Sequence, residues 1–221
     1  DKKSKVEGGV FLEMVEEAHK KMPKSSFEIS MSGQMDAAEI DLQATGFSDI
    51  SDSENPRFSM NLLSYQELDI DIRKPDKMMY VKVNKLPVAL YALLGMDPVK
   101  IKPLWENWIG ADVSESQMEK DEYMDLNVSE DTKNEIEVYK LSFNKKSVSE
   151  SVKSVNVDMW VDKKNMLILE MKIMGILEIE NKTAELTAVV KMSDYGKDVP
   201  IVKPDKYLSP EEFLSEFMKG K

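Results

Sequence analysis

From Ser154 to Ile173 the chain reads S-V-N-V-D-M-W-V-D-K-K-N-M-L-I-L-E-M-K-I, in which Val155, Val157, Met159 and Val161 alternate with Asn156, Asp158 and Trp160. A period of two places successive side chains on opposite faces of a strand. Asp162, Lys163, Lys164 and Asn165 supply a polar turn, and Leu167, Leu169, Met171 and Ile173 resume the alternation. The segment therefore predicts a long hairpin with one apolar and one polar face.

The same period recurs on the N-terminal side. Phe27, Ile29, Met31 and Met35 alternate with polar residues, and Ile40, Leu42 and Ala44 continue after a turn near Asp36. Beyond a turn-rich loop from Ser48 to Pro56 come Phe58, Met60 and Leu62, then Leu68, Ile70 and Ile72, then Met79, Val81 and Val83. Five strands in a meander are expected from this half, with further strands from Glu137 to Phe143 and from Thr183 to Met192. Leu104 to Gly110 reads as a short strand or turn, with Trp105 and Trp108 as strand anchors in preference to the mouth of a pocket, and Lys145 to Lys153 as a weak helix or loop. The total is eight or nine strands.

Helical spacing is confined to short segments. Val10, Phe11, Met14, Val15, Ala18 and Met22 recur at a period near 3.6 before Pro23 ends the pattern. Val88 to Leu94, opened by Pro87 and closed by Gly95, is apolar on every side and must be covered on every side. Ser209-Pro210-Glu211-Glu212 is a capping box with proline at the first helical position, which predicts a helix from Pro210 to about Lys219. Asp1 to Gly9 is lysine-rich and ends in two glycines, the composition of a flexible tether, so a single domain is expected over residues 10–221.

Charge narrows the functions. The formal net charge is -11, and 28 of the 30 cations are lysines, Arg57 and Arg73 being the exceptions. A surface of this sign does not suit nucleic acid, whose phosphates need a concentrated positive field. Asp112 to Glu137 alone holds ten acidic residues against two lysines and reads as a solvated helix or connection. The absence of cysteine removes disulfides, thiol nucleophiles and thiolate metal sites.

Catalytic and cofactor constellations are not apparent. His19 is the sole histidine and stands among charged residues, so a solvated side chain is expected. Asp49, Asp52 and Glu54 lack the glycine of a calcium loop and read as a solvated turn, so no metal is expected. No phosphate-cradling glycine loop or nucleophile elbow is present, and neither a cofactor nor an enzymatic activity is expected. What stands out is apolar: sixteen methionines, among them Met31, Met35, Met60, Met79, Met159 and Met171 on the apolar strand faces. Flexible methionines suit either an ordinary core or a surface that repacks around variable partners. A sheet of eight or nine strands is wide enough to curl, and three short helices are a modest filler for its hollow.

The order of these parts resembles the LolA/LolB and LppX-like superfamily of bacterial envelope lipoproteins and lipid carriers. The resemblance rests on the helix-then-meander opening, on M-M-Y-V-K-V-N-K-L-P at Met78 to Pro87, on V-D-M-W-V-D-K-K at Val157 to Lys164, and on M-S-D-Y-G-K-D-V at Met192 to Val199 before I-V-K-P. It implies an α+β fold: a strongly curved antiparallel sheet, or incomplete β-barrel, with short helices covering the open side and a hydrophobic cavity for acyl chains. It also implies an extracytoplasmic protein held to the membrane by an N-terminal lipid on a cysteine that this chain does not contain. The acidic span matches no motif of the superfamily, and the arginine that helps some carriers hold cargo has no counterpart.

The expected ligand is a lipid or an acylated protein. Phe27, Ile29, Met31, Met60, Leu62 and Val81 are the expected cavity wall, with Leu90, Leu93 and Leu94 as its lid. The alternative is a sensor or scaffold that binds another envelope protein through the same fold, its interior filled by side chains.

Overall fold

The computed structural model describes residues 8–35, 38–52, 54–64, 67–88, 91, 97–113, 126–146, 151–179 and 182–220. In chain order the elements are α1 (Gly8–Lys21), β1 (Lys24–Met35), β2 (Ala38–Asp49), β3 (Arg57–Ser64), β4 (Asp69–Lys74) and β5 (Met78–Lys85). Next come α2 (Pro98–Trp105), β6 (Trp108–Asp112), β7 (Asn127–Lys133), β8 (Ile136–Lys146) and β9 (Val152–Asp162). The chain closes with β10 (Ile168–Ile179), β11 (Lys182–Ser193), β12 (Tyr207–Leu208) and α3 (Pro210–Gly220).

All the strands belong to one open sheet of order β12-β6-β5-β4-β3-β2-β1-β11-β10-β9-β8-β7. Two meanders, β1 to β6 and β7 to β11, are sewn together by the antiparallel β1–β11 pair. Among the described strands, β12 alone runs parallel to its neighbour, β6. The fold class is thus a wide, mostly antiparallel, unclosed sheet with three helices among the described residues, in keeping with an incomplete barrel.

Chain geometry supports the curl. Between Asp112, in β6, and Asn127, in β7, fifteen peptide steps reach at most about 54 Å. The ten inter-strand spacings separating those strands would span about 48 Å if the sheet were flat. A flat sheet would need that link almost taut, whereas a curled one brings its two ends together. Register breaks between Ile168 and Glu170 and between Asp69 and Ile70 add local bends.

Helix α1 is anchored by Phe11, Val15 and His19, spaced four residues apart and all buried. Phe11 and Val15 join Leu141 and Val161 in one core cluster, flanked by Val128, Tyr139, Met159 and Ile168. The Phe11 ring meets Tyr139 edge-on at 5.2 Å. At the opposite end of the sheet, α2 and α3 pack on each other and on β5, β6 and β12. Trp105 and Phe213 are 5.2 Å apart there, and Tyr80 is fully buried against Tyr207. Gly110 permits that approach, since a Cβ at this position would stand 2.7 Å from the Tyr207 ring and 2.8 Å from Tyr80.

Several expectations are corrected. The described residues form twelve strands, more than the eight or nine expected. Residues 127–133 of the acidic span form β7 instead of a helix or connection, because the β8 edge pairs with them from Asn127↔Ser142 to Lys133↔Ile136. The first helix runs from Gly8 to Lys21 instead of from Val10 to Met22. Leu104 to Gly110 is no strand throughout: α2 extends to Trp105, started by Asp97, whose Oδ1 accepts the Val99 N–H at 2.9 Å. Trp105 is accordingly a helix residue, whereas Trp108 opens strand β6. The acidic remainder at residues 114–125 lies outside the described residues, as do most of the helix expected at Val88 to Leu94 and residues 1–7 of the expected tether.

Candidate functional site

Pairing register propagates the alternation of single strands across the whole sheet. Residues paired directly across neighbouring strands share a face, and one such row runs Leu141, Met159, Met171, Val190 and Ile29 from β8 through β9, β10 and β11 to β1. It continues Ala44, Leu62, Ile70 and Val83 through β2, β3 and β4 to β5. Beside it lie Phe143, Val157, Ile173, Ala188, Met31 and Leu42 on one side. On the other lie Met192, Phe27, Gly46, Met60, Ile72, Val81 and Ile109. Three apolar rows therefore form one continuous surface.

Phe27, Ile29, Met31, Met60, Leu62 and Val81 all fall within these rows, so the structure brings the six expected wall positions onto one face. Phe27 and Met60 crowd Gly46: a Cβ there would stand 2.7 Å from the Phe27 ring and 2.8 Å from Met60 Cβ. Glycine at this position lets the phenyl ring lie down along the sheet. The expected lid residues Leu90, Leu93 and Leu94 lie outside the described residues.

The two ends of this face are covered differently. At the β8–β10 end, α1 buries Leu141 and Val161. From β1 to β5 the row positions Phe27, Ile29, Met31, Leu42, Met60, Leu62, Ile70, Ile72, Val81 and Val83 are only half-buried, with Ala44 the buried exception. Polar side chains do not interrupt the rows in this stretch except at Ser64, opposite Leu42. Such a surface can remove hydrocarbon from water and holds no group that could activate a reactant.

The opposite face carries charged and amide side chains that pair with one another. Lys133 joins Glu170 at 2.7 Å and lies 3.7 Å above the Trp160 ring, while Trp160 Nε1 donates to Asp131 at 3.2 Å. Lys140 pairs with Asp158 at 3.2 Å. Asn61 and Asn84 each donate to both Asp69 and Asp71, over 2.8–3.1 Å. Arg73 stacks over Trp108 at 4.5 Å. Among the described residues, no three histidine, aspartate or glutamate side chains gather closely enough to hold a metal ion.

Two polar residues expected to be solvated are buried. His19 is 8% exposed: Nδ1–H donates to the Val15 carbonyl at 2.8 Å, and Nε2 lies 3.3 Å from Tyr195 Oη. Tyr195 donates its own proton to the Ile168 carbonyl at 2.6 Å, and burial pushes its pKa far above the usual tyrosine value. The pair pins the end of α1 to the start of β10 and the turn after β11. Asp49 is buried at the end of β2 and bonded to Arg57, with Ser51 N donating to it at 3.0 Å. Burial opposes its charge, but the Ser51 hydrogen bonds and Arg57 together hold its carboxyl below the usual range. Both residues are structural.

Among solved structures the fold is similar to that of the Mycobacterium tuberculosis lipoprotein LppX, matched with a TM-score of 0.56 over 87% of this chain and 97% of that one, at 10% sequence identity. Weaker likenesses include LprF from Mycobacterium bovis, with a TM-score of 0.43 over 89% of this chain and 97% of that one at 10% identity. A LolA superfamily protein from Nitrosomonas europaea follows at 0.35, over 88% and 97% of the two chains, at 13% identity. No family profile and no curated protein matches the sequence.

Proposed function

We propose that this is a non-enzymatic, extracytoplasmic lipoprotein-type domain that binds a lipid, or the acyl chains of a lipoprotein, on the apolar face between β1 and β5. The observation that carries the reading is the contrast between an unbroken apolar surface and its half-buried state. Exposed apolar area on this scale is uncommon unless something covers it. From Ile29 to Val83 the central row crosses four inter-strand spacings, about 19 Å. Ten methylenes laid along it would contribute about 8 kcal/mol. The likeness of the fold to the lipoprotein LppX supports the same reading, and an N-terminal lipid would keep such a domain at the membrane. Leu90, Leu93 and Leu94 would close over the bound chain.

Titration of the purified protein with a fluorescent fatty-acyl probe tests this. Saturable uptake with one or two sites is expected. Failure to take up the probe in a folded sample overturns it.

The second reading, a sensor that binds another envelope protein, draws support from a different place. Val10 and Met14 on α1 and Met22 just after it are 50%, 47% and 44% exposed, and Met14 and Met22 line a groove of about 410 Å³ with Met166 and Leu167. A protein partner seated there would leave the sheet face untouched, so loss of probe uptake and loss of partner binding would map to different substitutions.

A further inference from the structure

Three glycines inside strands, Gly33 in β1, Gly46 in β2 and Gly175 in β10, fall on the apolar face. A glycine in a strand interior weakens the strand, and it commonly marks a bend or a place where another backbone or a ligand comes close. Packing accounts for two of the three. At Gly46 the Phe27 ring occupies the space, as described above, and at Gly33 a Cβ would stand 2.3 Å from the Glu185 carbonyl oxygen and 2.5 Å from Leu186 Cδ2. At Gly175 nothing stands in the way: among the described residues the only heavy atom within 4 Å of such a Cβ is the Ser154 carbonyl oxygen, at 3.9 Å, an ordinary van der Waals contact.

Backbone geometry does not call for glycine there either. Gly175 lies outside the left-handed region, and the bulge beside it places its extra residue, Lys153, on β9 and not on β10. The gap is walled by hydrocarbon. Val155 and Leu186 pair with Gly175 on either side, Ile173 and Leu177 precede and follow it on the same face, and all four are half-buried. The Leu186 side chain lies against Gly33 and leaves the Gly175 side open. Val161, in the cluster under α1, is six residues from Val155 along β9, about 20 Å away. Through Leu186 and Gly33 the row continues to Ile40 on β2, beside the row of Met31 and Leu42, so the notch belongs to the same apolar surface. Side chains that border an unfilled gap forgo dispersion contacts on that side, and a hydrocarbon group restores them.

We propose that Gly175 is a specificity-determining position of the apolar face: the bound hydrocarbon extends past β1 across β11 and fills the notch over Gly175, whose missing side chain sets the bulk that this part of the face accepts. The inference rests on the lipid-binding reading above and adds where the ligand lies beyond β1 and which residue limits it.

The test compares the purified wild type with Gly175→Ala and Gly175→Leu in two measurements, thermal melting without ligand and titration with a fluorescent fatty-acyl probe, with circular dichroism to confirm the folds. Gly175→Ala is expected to raise the melting temperature by about 1–4 °C, because the site accepts a side chain without strain. The same variant is expected to weaken probe binding about fourfold, the loss for one displaced methylene, and Gly175→Leu to weaken it about tenfold or more. A structural glycine would move stability and affinity together, whereas a glycine kept open for the ligand moves them in opposite directions. A folded Gly175→Leu protein that binds the probe as the wild type does overturns the placement of the ligand over the notch and leaves lipid binding elsewhere on the face standing. A lowered melting temperature in Gly175→Ala assigns the glycine to the bend of β10 and overturns its role in specificity. Absence of probe binding to the folded wild type overturns the lipid reading itself and this inference with it.

Discussion

Leu62 lies near the middle of the central row, flanked by Ala44 and Ile70, and is half-buried before any ligand arrives. Its neighbour Leu63 lies on the same strand but on the opposite face, 45% exposed and paired with Gln43 and Asp69. Leu62→Asp and Leu63→Asp therefore make the same chemical change one residue apart, on the two faces of one sheet. A ligand covering the face takes the still-exposed part of the Leu62 side chain out of water, a contact contributing at most about 1 kcal/mol. Covering an aspartate there without a partner costs about 2 kcal/mol more. The sum, about 3 kcal/mol, is a loss of about a hundredfold in affinity. Displacement of a fluorescent acyl probe measures it, with circular dichroism to confirm that both variants fold. Leu63→Asp is expected to bind as the wild type does. Equal affinities for the wild type and a folded Leu62→Asp protein, or equal losses in both variants, would refute the assignment of the ligand to this face.

Three further outcomes follow from the packing. Phe11→Ala empties the centre of the α1 cluster, which should cost about 3–5 kcal/mol and lower the melting temperature by about 10 °C; a drop under about 2 °C contradicts that α1 is anchored there. Because the folded-state pKa of the Asp49 carboxyl is depressed, its stabilising effect is fully present above the unfolded value of about 4 and is lost as pH falls through the folded value. Urea midpoints from pH 7 down to pH 2 should therefore show Asp49→Asn less stable near neutrality and flatter in acid; parallel profiles would contradict this. In α3, Ser209 N donates to Glu212 Oε2 at 2.8 Å and Glu212 N to Ser209 Oγ at 3.1 Å. Ser209→Ala should cost about 1 kcal/mol, speeding amide exchange in α3 about fivefold; unchanged exchange would dismiss the cap.

How legible each element was in the sequence follows from where its stabilising contacts come from. Strands β1 to β5 and β8 to β11 carry their own alternation, since each must present one face to hydrocarbon and one to water. The six expected wall residues fell on one face for the same reason: parity along a strand is local, and antiparallel pairing preserves it. Strand β7, N-V-S-E-D-T-K, has only Val128 to mark a face, so its conformation is set by the β8 edge. Helix α2 hides behind Pro103 and two lysines, although Asp97-Pro98 is a readable start signal. His19 is surrounded in sequence by charges, yet stands four residues from Val15 and eight from Phe11, on the face that packs.

The most direct measurement is native mass spectrometry of the protein purified from cells without detergent, followed by organic extraction and identification of whatever leaves with the solvent. The expected result is a stoichiometric adduct that dissociates as a lipid or acylated species, with a wild-type mass once it is removed. A bare mass that stays bare after incubation with acyl lipids would contradict a lipid-binding face.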